Sequence, residues 1–283
     1  MTYRKFYYQS LKEAEKQNRE TSGIKWLFLA VTKKNFSDFV LSWHEPIPEA
    51  ESATLTELIK QYIYQLKPVQ YLLKTTSFFG LELTISQDVL IPRFETEELV
   101  ERILHWIKKS GQNNLCLVDL GTGSGAIALA IKKNCPAVQV IATDVSEKAI
   151  DIAKANAQKH KLSIDFLLGN WLEPLIEADK KVNIIVSNPP YIPISGPVNQ
   201  DVLMHEPPLA LFSGEDGLDS FRNILKDAKG VLISPSLIAF EHGFDQSKQI
   251  KKIAKTYFPN CEVSSYPDLQ GKTRITLIEI GSD

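Results

Sequence analysis

Cysteine is scarce in this chain and does not cluster. Cys116, Cys135 and Cys261 are the only three in 283 residues, far apart and odd in number. There is no CxxC pair and no Cys/His group of the kind that holds zinc, and no disulfide framework is implied. Reduced thiols in a cytoplasmic protein without a metal are the expectation. An excess of positive charge is lacking too: 32 Lys and Arg stand against 34 Asp and Glu, a formal net charge of −2. A protein that grips nucleic acid by neutralising phosphates needs a basic surface. Here the lysines fall in scattered pairs such as Lys33 with Lys34 and Lys180 with Lys181. These read as solvated faces, so no direct nucleic-acid partner is expected. Long hydrophobic runs are absent. The run Trp26 to Val31 is far shorter than the roughly 20 residues a membrane helix takes, and the opening "MTYRKFYYQS" has no apolar signal region. Internal repeats and low-complexity tracts are missing as well. The expectation is a soluble cytoplasmic monomer that binds no membrane.

What is present is an ordinary globular composition, 43% hydrophobic and 23% charged, with a length that fits about two domains. Residues 1–74 predict a small helical bundle. In "TLTELIKQYIYQLK", Leu55, Leu58, Ile59, Tyr62, Ile63 and Leu66 recur at three- and four-residue spacing, an amphipathic stripe that Pro68 should end. Residues 75–92, "TTSFFGLELTISQDVLIP", predict a hairpin linker. Residues 93–283 begin with the helix "ETEELVERILHWIKKS", acids first and lysines last as the helix dipole favours. From Asn114 strands alternate with helices, which implies a parallel sheet covered on both faces. The final strands, "CEVSSYP" and "KTRITLIEI", have only a turn between them and must run antiparallel to each other. A seven-stranded, mostly parallel α/β sheet with one reversed strand is predicted.

The first strand-to-helix turn reads "VDLGTGSGAIALA". Gly121, Gly123 and Gly125, with Thr122 and Ser124 between them, allow a tight turn and close approach of a ligand to the backbone. With Ala126 the stretch also fits the G-x-G-x-x-A dinucleotide fingerprint, so alone it decides little. Asp144 ends the second strand about 20 residues on, where a carboxylate can accept from both ribose hydroxyls. That serves NAD or S-adenosylmethionine equally, and capping of the next helix is a further reading, for which Ser146 also qualifies. Asp119, two residues before the first glycine, favours S-adenosylmethionine: it would attract the cationic end of a methionine and repel a pyrophosphate.

The fourth strand ends in "VNIIVSNPPYIPIS". A planar amide or adenine NH2 is a poor nucleophile because its lone pair is delocalised. One way to activate it is to give both N–H bonds an acceptor and hold the group in line with an electrophile. Asn188 offers its side-chain carbonyl and Pro189 its backbone carbonyl. Pro190 removes a donor and stiffens the turn, and Tyr191 supplies a ring for a flat group to lie against.

With these residues quoted, the chain resembles the HemK (PrmC) family, the glutamine methyltransferases that modify peptide-chain release factors. The resemblance spans nearly the whole length through "PVQYLL", "VLIPRFETEELVE", "DLGTGSG", "NPPY", "HEPPLALFSGEDGLDSFRNIL", "EHG" and "DLQGKTRIT". It implies a class I S-adenosylmethionine-dependent methyltransferase fold, Rossmann-like, behind an N-terminal helical domain that recognises the release factor. It implies that residues 121–125 wrap the methionine part of the cofactor, that Asp144 holds the ribose, that Asn170 and Trp171 flank the adenine, and that Asn188 also borders the cofactor. Asn188, Pro189, Pro190 and Tyr191 would bind the glutamine of a Gly-Gly-Gln motif. Asn170 stands where the family commonly has Asp, Lys74 where Gly is common and Phe94 where Pro is common. Arg93, Glu95 and Glu97 either brace the pocket or simply begin a helix. A structural hydrogen bond is expected for Glu206, and loop or core roles for His205 and His242. Glutamine methylation on a ribosomal protein, adenine-N6 methylation of DNA or RNA, a nicotinamide oxidoreductase and a non-catalytic binding module are the alternatives.

Overall fold

The computed structural model describes residues 1–281, and the chain divides into two compact units. The first holds Met1–Thr75 and a short later segment, Gln200–His205. Its helices are α1 (Tyr3–Lys16), α2 (Thr21–Thr32), α3 (Phe36–Leu41), α4 (Glu49–Tyr64) and α5 (Val69–Leu73). Side-chain caps start two of them: Thr2 accepts from the Lys5 N–H and Asn35 from the Asp38 N–H. The stripe on α4 buries Leu55, Ile59, Tyr62 and Ile63. They join Tyr3, Tyr7, Phe28 and Phe39 in one core, whose aromatic rings meet mostly edge to face. Gly23 lets α2 approach α4 closely, since a Cβ there would stand 2.3 Å from the Tyr62 ring. Helix α4 ends ahead of Pro68, with Leu66 in the left-handed region at φ 57.

Lys74 caps α5 at φ 58, also left-handed. Every side chain other than glycine's crowds its own backbone there, and glycine is the usual residue at such a helix end. The position is the one at which the resemblance implies glycine. Lys74→Gly is expected to raise stability by about 0.5–1 kcal/mol, read as an increase in the urea midpoint at unchanged slope.

The second unit takes Thr76–Asn199 and the chain from Glu206 onward. Its elements run β1 (Thr75–Phe78), β2 (Leu81–Thr84), α6 (Phe94–Ser110), β3 (Cys116–Leu120), α7 (Ala126–Asn134), β4 (Gln139–Asp144) and α8 (Glu147–His160). There follow β5 (Asp165–Leu168), α9 (Glu173–Glu177), β6 (Val182–Ser187) and α10 (Gln200–His205), the segment that belongs to the first unit. The last elements are α11 (Asp219–Ala228), β7 (Leu232–Glu241), α12 (Ser247–Tyr257), β8 (Glu262–Pro267) and β9 (Thr273–Ile280).

Seven strands form one sheet in the order β5-β4-β3-β6-β7-β9-β8. The first five are mutually parallel, and β9 runs antiparallel to both β7 and β8. The seven strands and the one reversed strand are as the sequence pattern predicts. Strand pleating sends alternate residues to opposite faces. Leu117, Val140, Ile184 and Leu237 pack under α6 and α7, while Val118, Ile141, Ile185 and Ile238 pack under α11 and α12. Both faces are covered, so β6 is buried at all six positions. The segment expected to be a linker sends Phe78, Leu81 and Leu83 into the first of these cores. Asn156 on α8, fully buried, fastens it: its Oδ1 accepts from Thr84 N at 2.7 Å, and its Nδ2 donates to the carbonyls of Thr84 and Ser124 at 2.9 Å. The β1–β2 hairpin is thereby tied to the glycine loop.

Candidate active site

Strand order reverses between β3 and β6, and ligands in open α/β sheets bind at such a switch point, beyond the carboxyl ends of the strands. The register makes the neighbours explicit. Leu120 lies opposite Thr143 on one side and Ser187 on the other. The next residue of each strand or loop is therefore Asp144, Gly121 and Asn188, side by side. The Ser187 hydroxyl donates to the Leu120 carbonyl at 2.7 Å and the Thr122 N–H to the Thr143 carbonyl at 3.0 Å, locking the three ends together. They open onto a cavity of about 380 Å³, a size typical of small-molecule sites.

The glycine loop forms one wall. Gly121, Gly123 and Gly125 all have positive φ, between 56 and 84. A Cβ on Gly123 would meet nothing within 4 Å, so its backbone faces open space. A Cβ on Gly125 would press to 2.7 Å from Leu129 and 3.2 Å from Ala153, so this glycine serves helix packing. Asp144 does not cap α8: that task falls to Ser146, which accepts from the Ala149 N–H. The two Asp144 oxygens accept from Gly123 N and Ser146 N at 2.9 Å, and burial raises its carboxyl above the ordinary range. Each oxygen keeps a lone pair for a further donor.

Trp171 sits at φ 44, with its ring 3.4 Å from where a Gly121 Cβ would stand. Asn170, beside it, donates from Nδ2 to Glu173 at 3.1 Å, which leaves its Oδ1 as an acceptor at the rim. Asp119 is placed differently from expectation. It is 1% exposed and does not line the cavity. It shares the pleat direction of Leu117 and points toward α7, where its Oδ2 accepts from the Thr122 hydroxyl at 2.7 Å and the Ala128 N–H at 3.2 Å. A helix start attracts a carboxylate in this way. Burial pushes this group up to about 7, and its Oδ1 has no partner among the described residues.

In the Asn-Pro-Pro-Tyr turn, Asn188 and Pro190 line the cavity, whereas Pro189 and Tyr191 do not. Asn188 Nδ2 donates to the Thr96 hydroxyl at 3.2 Å. Among the described residues nothing donates to Asn188 Oδ1 or to the Pro189 carbonyl. Two acceptors are therefore unspent in one rigid turn. The Tyr191 ring packs against the core beneath α11 and α12, and desolvation, with Glu241 nearby, pushes its hydroxyl up to about 12. Its carbonyl is held by Gln246 Nε2 at 2.9 Å. The cavity wall carries Asp88, Asp144 and Asp219 and, among the described residues, no lysine, arginine or histidine. Asp88 is paired with Lys148 and Asp219 with Arg222, so Asp144 is the wall carboxylate without an ion pair among the described residues.

Two family models match the chain: the PrmC N-terminal domain over residues 4–73 and the methyltransferase small domain over residues 100–232. A release factor glutamine methyltransferase of Streptococcus pneumoniae is 36% identical over 274 residues, covering 96% of each chain. The chain belongs to the release factor glutamine methyltransferase family. One of Xylella fastidiosa, with the same name, is 40% identical over 238 residues, covering 83% of this chain and 84% of the relative. The structure of a T. thermophilus 16S rRNA methyltransferase in complex with AdoMet and guanosine matches the fold at a TM-score of 0.55 and 16% identity, over 73% of this chain and 49% of that one.

Several polar residues of this release factor glutamine methyltransferase family member lie outside its legible motifs. Thr96 lines the cavity, one turn into α6, while its neighbours Arg93, Glu95 and Glu97 do not. Glu97 instead accepts from the Phe79 N–H at 2.7 Å. Phe94 is the first residue of α6, a position where proline's fixed φ suits a helix start. His242 is a core residue, with Nδ1 on the Gly243 carbonyl and Nε2 on Thr276. Burial lowers its pKa. His205 contacts the Gln65 carbonyl within the helical unit.

Glu206 is buried, accepting from the Ile91 N–H at 3.2 Å and pairing with Arg93 at 2.5 Å. It braces the segment that brings Val89, Leu90 and Pro92 to the cavity. Glu206→Gln keeps an acceptor but leaves the Arg93 charge unmatched, so a loss of about 2 kcal/mol is expected, measured by denaturant unfolding. A general base would behave oppositely, losing about a hundredfold in kcat at unchanged stability.

Proposed function

We propose that this protein transfers the methyl group of S-adenosylmethionine to the side-chain amide nitrogen of the glutamine in the Gly-Gly-Gln motif of peptide-chain release factors, in the cytoplasm. The observation that supports it most is the pair of unspent acceptors at Asn188 and Pro189, with Asn188 on the wall of a cavity that also carries the Asp144 carboxylate.

The residues present fit the cofactor. Gly123 offers an open backbone cradle, Asp144 keeps two free lone pairs above the loop, Trp171 gives a flat face, and Asn170 Oδ1 suits an exocyclic amine. Asp119 accepts from the Thr122 hydroxyl and so fixes the loop beneath the end that would hold the methionine ammonium. When bound, S-adenosylmethionine supplies an electrophilic methyl on a sulfonium and needs no metal.

The chain's own part is orientation. Asn188 Oδ1 accepts one N–H of the glutamine amide and the Pro189 carbonyl the other, so that the nitrogen is held in line and its protons are already polarised. Pro190 keeps the two acceptors from rearranging. Tyr191 fixes the turn from behind through its packing and the Gln246 bond. The methylated nitrogen becomes acidic and gives up its proton to water, so no strong base is required. Two glycines before the glutamine would let the main chain of the release factor enter a narrow site.

The test is mass spectrometry of a purified release factor incubated with the protein and cofactor, beside ribosomes and DNA. One added methyl on the Gly-Gly-Gln glutamine is the expected result. Methylation of a ribosomal protein or of adenine in place of it would refute the assignment.

A further inference from the structure

Two buried polar groups, Thr96 and Glu241, stand behind Asn188. Glu241 closes β7 with 2% of its surface exposed. An ionisable side chain is costly to bury unless its polar atoms are engaged. Its Oε2 takes the Thr96 hydroxyl at 2.6 Å, and the same Thr96 oxygen takes an Asn188 N–H at 3.2 Å. The three residues thus form a continuous chain from the core to the cavity wall.

Thr96 has a single hydrogen to give. An ionised Glu241 can only accept, so that hydrogen points at Glu241. The lone pairs of Thr96 Oγ1 then face Asn188 and select the Nδ2 end of its carboxamide, which leaves Oδ1 for the substrate. A protonated Glu241 reverses the chain. Its O–H donates into Thr96, the Thr96 hydrogen turns to Asn188 and selects Oδ1, and Nδ2 is left to meet the substrate N–H groups, donor against donor.

We propose that Glu241, acting through Thr96, is the positioning residue that holds the Asn188 carboxamide with its acceptor oxygen toward the substrate nitrogen, and that protonation of Glu241 turns the amide over and silences the site. This rests on Asn188 as the group that receives the glutamine amide. The one bond that changes is the Glu241 O–H, whose proton is exchanged with solvent.

The charged and titratable groups around Glu241 are Glu95 on α6, Arg93 just before it, Arg274 on β9 and Tyr191 after β6. Burial raises the carboxyl to about 7; Glu95 adds to the shift, and the Thr96 bond, Arg274 and Arg93 oppose it. The working form is the ionised one, so kcat rises with pH through that region and falls as pH drops below it.

The experiment is kcat against pH at saturating cofactor and release factor. Wild type is expected to lose about tenfold per pH unit on the acid side. Glu241→Gln can present either a donor or an acceptor to Thr96, so it should abolish the acid limb and lower plateau kcat about tenfold, with KM and cofactor affinity within about twofold. Thr96→Val should do the same and Thr96→Ser should restore the wild-type profile. A Glu241→Gln profile that superimposes on wild type, acid limb intact, overturns the proposal. So does a flat wild-type profile, which requires no variant to fold. Asn188→Ala separates the two levels. If it is inactive while Glu241→Gln is unchanged, only the relay fails; if it turns over normally, the amide reading itself fails.

Discussion

Asn188→Ala is expected to lower kcat by roughly a hundred- to a thousandfold while leaving cofactor affinity within a factor of about two. The split follows from where the side chain stands. Asn188 follows Ser187 at the end of β6, opposite Leu120 of β3, and lines the cavity with one hydrogen-bonding end already committed to Thr96. The groups suited to the cofactor are the glycine loop, Asp144 and Trp171, and none of them is bonded to the Asn188 side chain. Truncation removes one acceptor from the substrate nitrogen and leaves the cofactor cradle in place. Asn188→Asp is the sharper variant. It keeps oxygen acceptors but cannot donate to Thr96, and it sets a second carboxylate close to Glu241. Two acceptors would compete for one hydroxyl hydrogen, so Asp should fall well below Asn. Titration calorimetry with S-adenosylhomocysteine and steady-state kinetics with release factor measure the two halves separately. Turnover near the wild-type rate in Asn188→Ala would remove the basis of the amide-activation reading.

Local pattern made the scaffold legible, and long-range polar pairing was what it could not reveal. The strands from β3 to β7 are short apolar runs between helical periods, and a sheet buried on both faces leaves no other pattern open to them. The glycine loop and Asn-Pro-Pro-Tyr are contiguous, so their chemistry can be read in place. Asp119 shows the limit. It and Asp144 leave the sheet on the same face, since Asp119 is in register with Ala142, but Asp144 lies two residues further along and reaches the cavity, whereas Asp119 is covered by Thr122 and the start of α7. Thr96 and Glu241 are 145 positions apart, so no spacing rule joins them. A signal did exist: an acid at the end of the apolar run "SLIAFE" and an asparagine, Asn156, on the apolar face of α8 are both buried polar residues that need partners. Helix α10 was invisible for another reason. Its six residues bury none of their side chains fully, so it has no apolar stripe.

Gly217→Ala is expected to be nearly as damaging as loss of Asn188, although Gly217 does not line the cavity. The residue lies in the loop before α11 at φ 75, where any Cβ is strained. Space is the larger obstacle. A Cβ at this position would stand 2.3 Å from the Tyr191 carbonyl oxygen and 2.8 Å from Gln246 Nε2. Neither neighbour is a loose side-chain end. The Tyr191 carbonyl is main chain, one residue past Pro190, and Gln246 is held at both ends of its amide, accepting from Gly243 N and donating to Tyr191 and Gly217. The methyl group must therefore push the Asn-Pro-Pro-Tyr turn, break the Gln246 bonds, or both. A shift of about 1 Å at the reacting centre costs on the order of a hundredfold in rate, and the strain with the lost bonds should destabilise the fold by about 2–4 kcal/mol. Gln246→Ala separates the contributions, because it removes the bracing bonds without adding bulk. It should lower stability by about 1–3 kcal/mol and affect kcat less than Gly217→Ala does. Denaturant unfolding and kcat measured on both variants decide it. Equal rates in the two would mean that the bonds, and not the space, hold the turn.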